Sequence, residues 1–105
     1  MLYDAVSVVE EIMKGIIHDI VNRVVSKYKD VSVDSVNESD LSVVISYKNV
    51  KAYIYPYEET AEIDISNYPD VKDVEYIETV ADELLSNIRN TLDLLLDMLV
   101  DEDQD

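Results

Sequence analysis

The sequence predicts an α+β protomer with a long helix at each end of an antiparallel β-meander of three to four strands, and three observations predict it. Apolar residues recur at three- and four-residue steps near the N-terminus, at two-residue steps through the middle, and at three- and four-residue steps again toward the C-terminus. These are the periods of helix, strand and helix, because a helical side chain returns to its face every 3.6 residues and a strand side chain every two. The chain has 105 residues, 48% of them hydrophobic and 30% charged, which suits one globular domain with its own core. That domain is expected to span residues 1–100.

The first helix is expected over about residues 3–28. Ala5, Val9, Ile12, Met13, Ile16, Ile17, Ile20 and Val24 carry the spacing. Plotted at 100° per residue, the apolar arc from Val8 round to Val21 spans roughly 220°, about twice what a helix needs to cover one sheet. The surplus predicts a second packing surface. Gly15, the only glycine, falls opposite this arc, where it costs about 1 kcal/mol relative to alanine.

The alternation then runs through Val31 and Val33, through Leu41, Val43, Ile45 and Tyr47, through Val50, Ala52 and Ile54, and through Ala61, Ile63 and Ile65. Polar breaks at residues 37–40, 48–49 and 56–60 have turn lengths and turn residues, so consecutive strands pair antiparallel. The segment 31–36 has the shortest pattern and decides between three strands and four. The opposite face carries Ser42, Val44, Ser46, Lys51, Tyr53, Tyr55, Glu62 and Asp64. Tyr47, Tyr53, Tyr55 and Tyr57 fall in one hairpin and form the candidate interface, because tyrosine supplies large contact area at low entropic cost.

Asp70 is the expected N-cap of the second helix, with Asp73 and Glu75 in the first turn, where the helix dipole favours anions. Val74, Ile77, Ala81, Leu84, Ile88, Thr91, Leu95 and Met98 form its stripe, widened by Val80, Leu85, Leu92, Leu96 and Leu99. About 28 helical residues reach roughly 42 Å, against about 20 Å for a typical strand, so the helix must overhang the sheet and pack on another helix. The expected result is a two-layer protomer in a helix-packed homodimer, with Ile12, Ile16, Ile20, Ile77, Leu84, Ile88, Leu95 and Met98 as its seam. Residues 101–105 place anions at the unfavourable end of a helix and are expected to be a disordered acidic tail.

The formal net charge of -16, from 24 acidic and 8 basic residues, disfavours direct binding to nucleic acid or anionic membrane and points to a basic protein partner. Glu75, Glu78, Asp82, Asp93 and Asp97 form the candidate acidic face. Without cysteine there is no thiol nucleophile, zinc thiolate or disulfide. No signal peptide or membrane span is legible, so a cytoplasmic location is expected. A single glycine cannot build a phosphate-cradling loop.

His18, the only histidine, lies on the polar face near Glu11, Lys14 and Asn22, with Lys14 and Gly15 where a metal site would need a carboxylate. Glu78 with Asp82, and Asp93 with Asp97, are the one-turn carboxylate pairs that such acid density produces by chance. Asp101, Asp103 and Asp105 match only the start of a calcium loop, without its glycine or closing glutamate. Residues 69–72 resemble pieces of the metal-dependent nuclease signature, but both pieces would share Asp70, which removes the second metal ligand. No catalytic residue, metal or cofactor is therefore expected, and the chain is not expected to be an enzyme.

The resulting expectation is a non-catalytic protein-interaction module that binds a basic or mixed-charge protein. One alternative is an inhibitor that mimics nucleic acid with rows of carboxylates, as small acidic proteins of viruses and mobile elements do, acting in a host cytoplasm. Another is an acidic chaperone or adaptor. In size, charge and helix-then-meander order the chain is similar to the acidic, dimeric secretion chaperones, and departs from them in lacking further strands and a third helix. The high Val, Ile and Tyr content is compatible with a thermophilic source, and the asparagine content argues against one.

Overall fold

The structure, a computed structural model, describes residues 4–103. Its element order is α1 (Ala5–Val25), β1 (Ser32–Val36), β2 (Val43–Tyr47), β3 (Val50–Tyr55), a 3-10 turn (Pro56–Glu58), β4 (Thr60–Asp64) and α2 (Val71–Asp103). The four strands form one antiparallel sheet in the order β1-β2-β3-β4, so the segment 31–36 does pair as the first strand. The fold is the expected α+β arrangement, helix, meander, helix. Three residues of the expected acidic tail, 101–103, belong to α2, and 104 and 105 lie outside the described residues.

α1 begins at Asp4, whose carboxylate accepts the Val6 amide at 3.0 Å and the Ser7 hydroxyl at 3.1 Å. Those two bonds occupy the side chain that stops the chain extending and satisfy an amide that has no partner inside the helix. The turn from β1 to β2 is built the same way, with Asn37 accepting the Ser39 amide and Asp40 the Ser42 amide. Leu41 enters β2 at φ 62° with its side chain fully buried. An apolar side chain seated in the core there offsets a left-handed backbone that glycine would adopt more cheaply.

Register assigns the two faces of the sheet. Val43 pairs with Ile54, Ile45 with Ala52 and Tyr47 with Val50, which puts the inward row of both central strands under the helices. Val43, Ile45, Val50, Ala52 and Ile54 are all buried. Val33 faces Ile45 on the next strand, and the register then shifts across Asp34, a bulge that bends this edge and discourages pairing with another chain. At the far edge, β4 ends one residue earlier than the alternation predicts. Asp64 accepts the Ser66 amide at 2.9 Å and turns the chain, so Ile65 leaves the sheet and stands exposed.

The two helices run antiparallel: Tyr28, just past α1, bonds Glu83, while Ile16 and Ile20 share a crevice with Asn87 and Thr91. α2 lies across β3 with flanking contacts to β2 and β4, and α1 packs on α2 and touches β1. At one end Lys48 pairs with Asp73, and at the other Arg89 reaches the Pro56 carbonyl and Glu59. Beyond Arg89 the last 14 residues of α2 overhang the sheet by roughly 20 Å. Val9 and Met13 of α1 and Leu92 of α2 are buried in one cluster with the sheet core. The helix needed to cover the overhang is thus α1 of the same chain, and the molecule is a rod of 54 × 23 × 18 Å.

That finding corrects half of the expected dimer seam. Ile20, Ile77, Leu84 and Ile88 are buried within the protomer and have no surface to offer a second copy. The wide stripe of each helix is used by two neighbours in the same chain, the sheet and the other helix, which explains an arc too broad for one sheet. Ile12, Ile16, Leu95 and Met98 keep exposed surface.

Candidate functional site

With both helices on one side, the other side of the sheet is uncovered. Its rows, read from the register, are Ser46, Lys51 and Asp64, then Val44, Tyr53 and Glu62, then Tyr55 and Thr60. Val44, Tyr53 and Tyr55 are half-buried at the centre, and the acids lie around them. Asp34, displaced by the bulge, accepts the Ser46 hydroxyl at 2.9 Å and holds Lys51 at 3.5 Å. The Ser66 amide and side chain, and then Lys51, hold the Asp64 carboxyl below the usual aspartate range. An apolar centre inside a charged rim is the anatomy of a protein-binding patch.

The hairpin tyrosines do not share this surface. Tyr47 lies on the helix side, its ring centre 4.6 Å from that of Tyr76, which in turn meets Tyr28 edge-on at 6.0 Å. Tyr57 sits in the 3-10 turn, pushed up from the usual tyrosine range first by partial burial and then by the charge of Glu10. Only Tyr53 and Tyr55 present one face together. Two-residue alternation places Tyr47 opposite them, and the proximity of all four in sequence hides that separation.

Glu75, Glu78, Asp82, Asp93 and Asp97 are all exposed along the outer side of α2. At 100° per residue they fall on one stripe, but Arg89 falls on it too and binds Asp93 at 3.4 Å and Glu59 at 2.8 Å. With Asp93 paired, the stripe carries no free carboxylate from Asp82 to Asp97, about 22 Å. His18 is also exposed, its Nε2 3.0 Å from Glu38 Oε1 across the turn between β1 and β2. Among the described residues, no group of three or more His, Asp and Glu is arranged to hold a metal. No helix there is long and apolar enough to cross a membrane.

Two features escaped sequence reasoning. Glu83 is held by the Lys27 ammonium and by the Tyr28 hydroxyl at 2.6 Å. Those two bonds hold its carboxyl below the usual glutamate range, and the bond to Glu83, followed by burial, raises the Tyr28 phenol. Nothing in sequence links positions 27 and 83, since the contact exists only after the helices pair. The second feature is an open groove of about 530 Å³ where β4 hands over to α2, lined by Ile65, Tyr68, Pro69, Val71, Val74, Glu75 and Glu78. Val71 falls outside the stripe of α2, which is a legible signal, whereas the two-residue period assigns Ile65 to the sheet and so conceals it.

Comparison of the chain with family models, curated proteins and solved structures finds no match.

Proposed function

We propose that the chain is a non-catalytic interaction module, working as a homodimer, that binds a basic or mixed-charge protein through the uncovered face of its sheet. The observation that supports this most is the pairing of half-buried Tyr53 and Tyr55 with a rim of Asp34, Glu62 and Asp64. The tyrosines supply the area that a partner buries, and the acids select for lysine and arginine around it and speed encounter. The interrupted row on α2 gives weaker support to mimicry of nucleic acid, because a phosphate backbone has no cation built into it.

The test is capture from source lysate by tagged wild-type chain and by a Tyr53→Ser/Tyr55→Ser variant, each washed at about 0.1 M and 0.5 M salt. Both side chains lie on the uncovered face, so the variant keeps the wild-type circular dichroism. A basic protein retained by the wild type, weakened at high salt and absent from the variant supports the reading. Retention of the same proteins by both chains overturns the sheet face as the binding surface.

A further inference from the structure

We propose that the groove between the end of β4 and the start of α2 is a second binding site, for a short segment of a partner protein that pairs one bulky apolar side chain with a flanking lysine or arginine. It is separate from the sheet face, and the two stand or fall independently. Three observations carry it.

The first is exposure. Tyr68 is 94% exposed, Val71 71% and Ile65 58%. Together with Pro69 and Val74 they make an apolar trough of a size that takes a large side chain. In a chain with so many charges, apolar surface gathered in one concavity marks a contact site.

The second is backbone. Tyr68 has φ 52°, although bulky residues avoid the left-handed region and a residue before proline normally sits in the extended one. Leu41 has the same conformation but fills the core; Tyr68 points into solvent, and its amide bond to the Ile65 carbonyl at 3.0 Å closes the turn. The free protein thus keeps an aromatic ring beside an apolar trough at a cost in strain, and gains no packing in return. Strain of this kind clusters at ligand clamps and binding sites.

The third is charge. Glu75 and Glu78, one helical turn apart, stand on the rim of the trough, and among the described residues neither carboxylate has an ion-pair or hydrogen-bond partner. Asp73, in the same turn of α2, is already matched by Lys48. Two unmatched carboxylates beside an apolar trough complement a segment in which an apolar side chain seats in the groove and a cation beside it reaches the rim.

The chain contains no tryptophan, so the fluorescence of a tryptophan-containing probe reports on the probe alone. Titration of capped Lys-Trp-Lys should give a saturable blue shift of one probe per chain, and capped Glu-Trp-Glu should give none. Glu75→Gln/Glu78→Gln should weaken the first titration roughly three- to tenfold, the effect of two partly exposed charge contacts. Tyr68→Gly should abolish the shift without lowering the thermal midpoint, which a merely structural residue would not do. Asp93→Asn/Asp97→Asn removes the same charge elsewhere on α2 and should leave the titration unchanged, as should Tyr53→Ser/Tyr55→Ser. Absence of a shift with Lys-Trp-Lys, equal binding of Glu-Trp-Glu, or equal weakening by Asp93→Asn/Asp97→Asn each overturns the proposal. Closure of the groove by a second copy would appear as the first of these.

Discussion

Glu83 shows how a single carboxylate ties helix to helix. It receives the Lys27 ammonium and the Tyr28 hydroxyl from the end of α1, and both favour its charged form. The folded state therefore binds its proton more weakly than the unfolded chain does. By linkage, its contribution to stability is complete above the ordinary glutamate range, about pH 4.3, and is lost as the pH falls through the lower folded value. Glu83→Gln has no such term, although it shares every other acid with the wild type. Urea midpoints measured from pH 7 to pH 3 should fall more steeply for the wild type than for Glu83→Gln below about pH 5. Parallel curves would mean that the contact with Lys27 and Tyr28 is not kept in solution. The contact was invisible in the sequence because it joins positions on two helices whose relative rotation is fixed only by packing. Tyr47 of β2 against Tyr76 of α2 is likewise brought together only when the helix packs on the sheet.

Each element, by contrast, was legible where a period and a stop signal agreed. The stripes of both helices, the alternation through Val43, Ile45, Val50, Ala52 and Ile54, and the Asn and Asp turns all reappear in the structure. The reading failed at Ile65, where a two-residue period continued past the turn that Asp64 makes with Ser66. It failed again at Ile77, Leu84 and Ile88, because periodicity reports that a face is covered and not by which element. The overhang of α2 is covered by the N-terminal half of α1, so the capping of α1 bears on more than one helix. Asp4→Ala removes the acceptor for the Val6 amide and the Ser7 hydroxyl. It should lower stability by about 1 kcal/mol in urea unfolding, the usual effect of losing an N-cap side chain. Hydrogen exchange should quicken first in the early turns of α1 and in the facing turns of α2. An unchanged midpoint would mean that the helix starts beyond Ser7 in solution.

On the scale of the molecule, the rod has a sheet at one end and a bare helical hairpin at the other, and the hairpin carries the apolar surface that remains. Ile12 is 37% exposed, Leu94 60% and Met98 55%, and Val8, Ile16 and Leu95 close to them in sequence are half-buried. In an antiparallel pair, the N-terminal half of α1 lies beside the C-terminal half of α2, so these residues gather at the same end of the rod. Pairing two such hairpins about a two-fold axis would make a short four-helix bundle, with both open sheet faces at its outer ends. Four of the residues expected in the seam, Ile12, Ile16, Leu95 and Met98, remain available for it. Self-repulsion opposes the pairing, since each copy carries a charge of -16. Screening should relieve it as the Debye length falls from about 10 Å at 0.1 M salt to about 3 Å at 1 M. Sedimentation equilibrium should therefore give twice the 12.0 kDa chain mass, with tighter association at higher salt. Leu94→Ser/Met98→Ser adds no charge and touches no buried residue, so it should return the protein to monomer with its circular dichroism intact. A wild type that stays at the mass of one chain at every concentration and salt, or a Ser variant that associates as well as the wild type, would remove the hairpin as the dimer surface. In either case the sheet face and the groove would have to bind their partners as a monomer.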